Sequence, residues 1–99
     1  MRATANVNGL ITTAQEAKVS IFDRGFQYGD SIYEVTRTYE GVPFFLEEHF
    51  DRLENSARLA RMKISQSRDF LTEEIRRTVR ESGVRKGEDV FIRYTVSRG

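Results

Sequence analysis

Cysteine is absent from this 99-residue chain, which excludes a disulfide framework and any thiolate metal site. Histidine occurs once, as His49, with no second histidine or cysteine to share a metal. No apolar run approaches the roughly 20 residues that a membrane span requires, and residues 1–6 lack the apolar core of a signal peptide. A cytoplasmic address is therefore expected. A surplus of either charge is missing as well: sixteen basic residues face fifteen acidic ones, a net charge of +1. The concentrated basic footprint of a nucleic-acid binder is not there. The longest basic cluster, Arg76, Arg77 and Arg80, is interleaved with Glu73, Glu74 and Glu81 and reads as a solvated helix face. Neither a serine in a nucleophile elbow nor a glycine-rich phosphate loop occurs.

What is present fits one domain. A chain of this size buries roughly 60–68% of the surface that its unfolded form exposes, enough for a modest core. Asn8-Gly9, between Val7 and Leu10-Ile11, signals a tight turn because both residues tolerate positive φ. Residues 3–7 and 10–13 are predicted to form a short hairpin around it. Residues 22–31 are punctuated by Asp23-Arg24-Gly25, Tyr28-Gly29 and Asp30-Ser31, too broken for a long helix, and read as a structured loop.

Residues 32–39 are rich in β-branched and aromatic side chains and predict a strand. Tyr33, Val35, Arg37 and Tyr39 share one face of it; Ile32, Glu34, Thr36 and Thr38 share the other. Glu40-Gly41 turns the chain, and residues 42–45 are expected to return as a second strand. Leu46, Phe50, Leu53, Ala57 and Ala60 then recur at steps of four and three, the apolar stripe of a helix. A second helix is capped by Ser67 or Asp69, faces Phe70, Leu71, Ile75 and Val79 inward, and ends at Gly83. Residues 90–96 form a final strand, with Val90, Ile92, Tyr94 and Val96 on one face and Phe91, Arg93 and Thr95 on the other. The predicted class is α+β: a mostly antiparallel sheet with two helices packed on one side.

Few residues invite chemistry. A lone helical histidine such as His49 reads as structural, and turn chemistry accounts for Asp23 and Asp30. Arg52 differs. His49, Arg52 and Ser56 form a row beside the apolar stripe, so Arg52 must satisfy a planar five-donor head at the border of the core. An internal carboxylate, Glu34 or Glu48, is one solution. A bound anion is the other, since the guanidinium fork suits phosphate.

The run Asp23-Arg24-Gly25-Phe26-Gln27-Tyr28-Gly29-Asp30-Ser31-Ile32-Tyr33-Glu34-Val35 resembles the opening segment of class IV aminotransferases. These are the fold-type IV pyridoxal-phosphate enzymes, among them branched-chain and D-amino-acid aminotransferases and aminodeoxychorismate lyase. The resemblance resumes at Glu48-His49-Phe50-Asp51-Arg52-Leu53, at Asn55-Ser56-Ala57, at Phe91-Ile92-Arg93 and at Val96-Ser97-Arg98-Gly99. Several dispersed motifs in the family's order are more specific than any one of them alone.

The resemblance implies the family's small N-terminal domain over residues 1–99. It implies that Arg52 grips the phosphate of pyridoxal 5'-phosphate, that Tyr33 lines the substrate pocket, and that Arg93 approaches the substrate side. Tyr28 would sit on a loop reaching toward a partner subunit in a homodimer, with Glu34 and His49 structural. The substrates would be an amino acid or amine and a 2-oxo acid. Tyr33-Glu34-Val35 is similar to the D-amino-acid members and Phe91-Ile92-Arg93 to the branched-chain ones. Transamination also needs a lysine to hold the cofactor and shuttle a proton. Lys18, Lys63 and Lys86 are the only lysines, none in a matching context, so that residue is expected on a larger domain outside these residues. The chain alone is then expected to be inactive and to present apolar surface for association. A lyase of the same fold and a non-catalytic binding module are the rival readings. Spacing further leads us to expect the Arg52 head in a surface cleft beside Tyr33.

Overall fold

The computed structural model describes residues 3–99; residues 1 and 2 of the N-terminal segment considered above lie outside the described residues. A hairpin opens the chain. Strands β1 (Thr4–Val7) and β2 (Leu10–Thr13) pair antiparallel, Val7 opposite Leu10. The turn between them takes φ of 53° at Asn8 and 94° at Gly9, as the Asn-Gly signal predicts.

The punctuated segment that follows is not wholly a loop. Residues Arg24–Tyr28 form one short helix, α1. The Asp23 side chain caps it by accepting from the Gly25 amide at 2.9 Å, and Gly29 ends it at φ 67°. The turn residues that break a long helix are the caps of a single-turn one.

A three-stranded sheet of order β4-β3-β5 carries the rest. Strand β3 (Ser31–Tyr39) is central, flanked by β4 (Val42–Pro43) and by β5 (Phe91–Ser97), both antiparallel to it. The register sets Tyr33 opposite Thr95, Val35 opposite Arg93, and Arg37 opposite Phe91. Strand β4 is shorter than the expected residues 42–45. Phe45 swings to φ 53° to start the next helix, which takes it out of the ladder after the Phe44 amide bonds the Arg37 carbonyl at 2.8 Å.

Helix α2 (Leu46–Leu59) lays Phe50, Leu53 and Ala57 into the core, and the Phe50 ring meets Tyr94 of β5 edge-on at 5.9 Å. Helix α3 (Arg68–Glu81) is capped by Ser67, which accepts from the Phe70 amide at 3.1 Å. Ile75 is buried, and Leu71 and Val79 are half-buried. Phe70 departs from the inward set, at 53% exposed: five residues from Ile75, it points about 140° away at 100° per residue. The two helices are clasped by Arg68, which meets Glu47, Asp51 and Glu54 of α2 at 2.8, 2.6 and 2.7 Å. The hairpin docks on α3 through Asn6, which donates to Thr78 Oγ1 at 3.0 Å, and through Arg77, which donates to the Gly9 carbonyl at 2.7 Å. The fold is α+β with antiparallel sheets, as predicted, with α1 as a third helix.

The polar face of β3 is the inner one. Glu34, Thr36 and Thr38 are buried under α2, while Tyr33, Val35 and Tyr39 are exposed. Each buried polar group has a partner. Thr36 Oγ1 shares a hydrogen bond of 2.8 Å with the Tyr94 hydroxyl. Thr38 Oγ1 donates to Asp89 Oδ1 at 3.1 Å and accepts from the Val90 amide at 2.9 Å. Burial, opposed in part by the Thr36 hydrogen bond, pushes the Tyr94 phenol above its usual range.

Candidate functional site

Two groups of sequence-predicted residues form, one on each face of β3. On the inner side, helical spacing brings His49 and Arg52 over Glu34. His49 Nδ1 donates to Glu34 Oε1 at 2.8 Å. The Arg52 Nε lies 3.6 Å from that same oxygen, an ion-pair distance too long for a hydrogen bond. Glu34 is 8% exposed, whereas the Arg52 side chain is 71% exposed. Among the described residues Arg52 has no other charged partner, so of the two carboxylates left open by the sequence, Glu34 is the one it meets. Among the described residues its two Nη groups make no ion pair.

On the outer side the Arg93 guanidinium stacks 4.0 Å over the Tyr33 ring, a cation–π contact made possible by the β3–β5 register. Arg37, which the sequence placed on this face without a role, lies between two rings, 5.0 Å from Tyr39 and 5.5 Å from Phe91. The face is thus a band of aromatic rings carrying two arginines. The alternation of residues 33, 35, 37 and 39 was the available signal for Arg37, once 91 and 93 were known to lie beside them.

The expectation that the Arg52 head sits in a cleft beside Tyr33 is not met. Consecutive residues of a strand point to opposite faces, so Tyr33 goes outward with Arg93 while Glu34 goes inward and takes Arg52 with it. Tyr28 stands apart from both groups, at the exposed end of α1. Two clefts occur elsewhere. One of about 300 Å³ lies between α2 and α3, against Phe50, Leu53, Met62, Arg68 and Leu71. One of about 230 Å³ lies between β4 and α3, against Val42, Pro43, Arg76 and Arg80. Neither is lined by Arg52, Tyr33, Tyr28 or Arg93.

The two faces are held together at one corner. Arg98, beside the end of β5, donates to Asp30 Oδ2 at 2.6 Å and to the Ala60 and Arg61 carbonyls at 2.7 and 3.1 Å. Arg24 donates through its amide and its Nε to the Gly99 carbonyl, at 2.9 and 2.8 Å. This anchors α1 and the start of β3 to the end of β5 and to the C-terminus of α2, where a cation also suits the helix dipole. Among the described residues no group of three or more His, Cys, Asp or Glu side chains is placed to hold a metal, and no helix is long and apolar enough to cross a membrane.

The arrangement has counterparts. Over 89 residues the chain is 37% identical to a D-alanine aminotransferase of Staphylococcus epidermidis, covering 90% of this chain and 31% of that protein. It is 39% identical over 89 residues to branched-chain-amino-acid aminotransferase-like protein 2 of Arabidopsis thaliana, covering 90% of this chain and 16% of that one. Its fold superposes with a TM-score of 0.84 on the branched-chain amino acid aminotransferase of Escherichia coli, at 30% identity, covering 100% of this chain and 34% of the other. The chain therefore spans about a third or less of the length of these proteins. The model of the amino-transferase class IV family matches residues 31–99, which include β3 with its two faces, Arg52 and Arg93. On that match, over more than two thirds of its length, the chain belongs to the class IV aminotransferase family.

Proposed function

We propose that residues 1–99 are the small N-terminal domain of a pyridoxal-phosphate aminotransferase, which transfers an amino group between an amino acid, branched-chain or of D configuration, and a 2-oxo acid. The single observation that carries the reading is Arg52, a largely exposed guanidinium paired through Nε with a buried carboxylate, in a chain of this family. Its residues fit a phosphate monoester, because a planar fork offers two parallel N–H donors to two phosphate oxygens. When bound, the cofactor supplies an electron sink for the carbon that bears the amino group.

This chain's own residues then have positioning work. Arg52 would hold the phosphate end through its guanidinium. Tyr33 and Arg93, stacked on each other, present an aromatic wall and a cation to the substrate side. Tyr28, on its exposed turn, reaches toward a second subunit. The lysine that would hold the cofactor and move the proton is placed on a further, larger domain, since none of Lys18, Lys63 and Lys86 stands in a matching sequence context. A homodimer associates through the exposed run around α1.

The test is a titration of the ¹⁵N-labelled chain with pyridoxal 5'-phosphate and, separately, with pyridoxal. One charge-assisted contact contributes about 1.5–3 kcal/mol, against roughly 8 kcal/mol for a micromolar complex, so weak, phosphate-dependent shifts at backbone amides around residue 52 are expected. They vanish in Arg52→Ala. Shifts that are equal with pyridoxal, or indifferent to Arg52→Ala, remove the reading. Borohydride reduction with limiting cofactor is expected to label Lys18, Lys63 and Lys86 slowly and without preference. One stoichiometric adduct shows instead that the amine lies within this chain.

A further inference from the structure

Glu34 is an expensive residue in its place. It sits on the inner row of β3 beneath α2, 8% exposed, with Ile32 on one side and on the other Thr36 and Thr38, which are satisfied by Tyr94, Asp89 and Val90. An ionised carboxylate taken out of water needs compensating charge as well as hydrogen bonds. His49 Nδ1 supplies the hydrogen bond at 2.8 Å. Among the described residues the only guanidinium in range is that of Arg52, and its contact is through Nε at 3.6 Å.

That geometry has a directional consequence. A guanidinium has an Nε-side edge and a terminal edge, and an acceptor on the first leaves the second free in a defined direction. An arginine tethered only by its flexible stem would sample many rotamers. One drawn at Nε toward a buried carboxylate, here at ion-pair distance, favours the rotamers that leave its Nη pair on the far side. We infer that Glu34 is the positioning residue of the Arg52 anion grip, with His49 pinning the Glu34 carboxylate, so that the Nη edge is aimed outward at a tetrahedral oxyanion. This inference rests on the reading of Arg52 as a phosphate anchor and assigns the orientation of that anchor to a buried pair.

Glu34→Gln separates positioning from charge because the two act in opposite directions. Glutamine keeps the volume and still accepts from His49 through its carbonyl oxygen, but it loses the ionic hold on Arg52. If Glu34 were only a competing counter-ion, its neutralisation would strengthen anion binding. If it positions Arg52, binding weakens. The probe is sulfate, a dianion throughout the working range, titrated at one fixed pH into the chain and followed at the Arg52 Nε–Hε resonance. The expected result for Glu34→Gln is binding weaker by roughly threefold to tenfold, the lower part of the range for coupling between neighbouring side chains. In the Arg52→Ala background, followed at backbone amides, the same change has no effect.

Unchanged or tighter sulfate binding in a folded Glu34→Gln chain overturns the positioning role while leaving the anchor intact. Loss of no affinity in Arg52→Ala overturns the anchor itself, a separate outcome. A measurement on the unaltered chain covers the case in which Glu34→Gln does not fold. The Arg52 Nε–Hε vector should be more ordered on the nanosecond scale than that of Arg85, whose side chain makes no ion pair among the described residues. Equal disorder in the two overturns the inference.

Discussion

An added methyl group at Gly25 would lie 2.7 Å from Ser97 Cβ and 2.8 Å from Asp23 Oδ2. Both atoms belong to the joint that ties α1 to β5, in which Ser97 donates to Asp23 Oδ1 at 2.8 Å. Backbone freedom is not what this glycine supplies; it is space. Gly25→Ala is expected to destabilise the chain by about 1–3 kcal/mol, the usual cost of overpacking a tight contact, read as a lowered urea midpoint at unchanged slope. A midpoint equal to that of the unaltered chain would show that α1 is not seated on β5 in solution. Arg52 teaches a related lesson. Spacing alone put it at the border of the core and left its partner open; the pleat of β3 decided for Glu34.

At the scale of elements, few side chains join one piece to another, and charge carries several of the joints. Glu74 links α3 to the hairpin, paired with Arg77 at 2.8 Å and accepting from Asn6 at 3.3 Å. The Arg77 hydrogen bonds, then that of Asn6, lower its pKa from the usual 4.5 to about 2. A carboxyl whose folded pKa is depressed stabilises fully above its unfolded value and loses that contribution as protons bind the folded form. The difference in stability between the unaltered chain and Glu74→Gln should therefore be constant above pH 4.5 and shrink between pH 4.5 and about 2. Urea midpoints across that range check it, and a difference that grows on acidification contradicts the pairing. Arg68 likewise holds the Glu54 carboxyl below its ordinary range, fastening α2 to α3 beside a core built on Phe50 and Leu53.

At the scale of the whole molecule, the largest apolar surfaces lie outside the core. Val19, Ile21, Phe22, Phe26 and Tyr28 are all exposed within ten residues, and exposed apolar clusters mark association sites. The proposed homodimer gives a direct expectation: sedimentation velocity should show a concentration-dependent dimer, shifted toward monomer by Phe22→Asp. A monomer at every concentration for both chains removes the proposed association. The outer face of the sheet is the second uncovered surface, with Tyr33, Val35, Tyr39 and Phe91 around Arg37 and Arg93.

Much of this was legible in the residues themselves, wherever the governing chemistry is local. Asn8-Gly9 specifies its turn through positive φ, Leu46 to Ala57 specify a helix face by their period, and Ser67 specifies where α3 begins. The family was legible too, because motifs from Asp23 to Arg98 stand in one order. Periodicity, however, tells which side chains of a strand share a face and not which face is covered. Where α2 comes to rest decided that the threonines and Glu34 would be inside and the tyrosines outside, and so separated Arg52 from Tyr33. Tertiary contact also seated the short, locally capped helix of residues 24–28 on Ser97 and Gly99. It likewise brought Arg68 to three carboxylates of α2, because residues so far apart in the chain meet only once the core between them has closed.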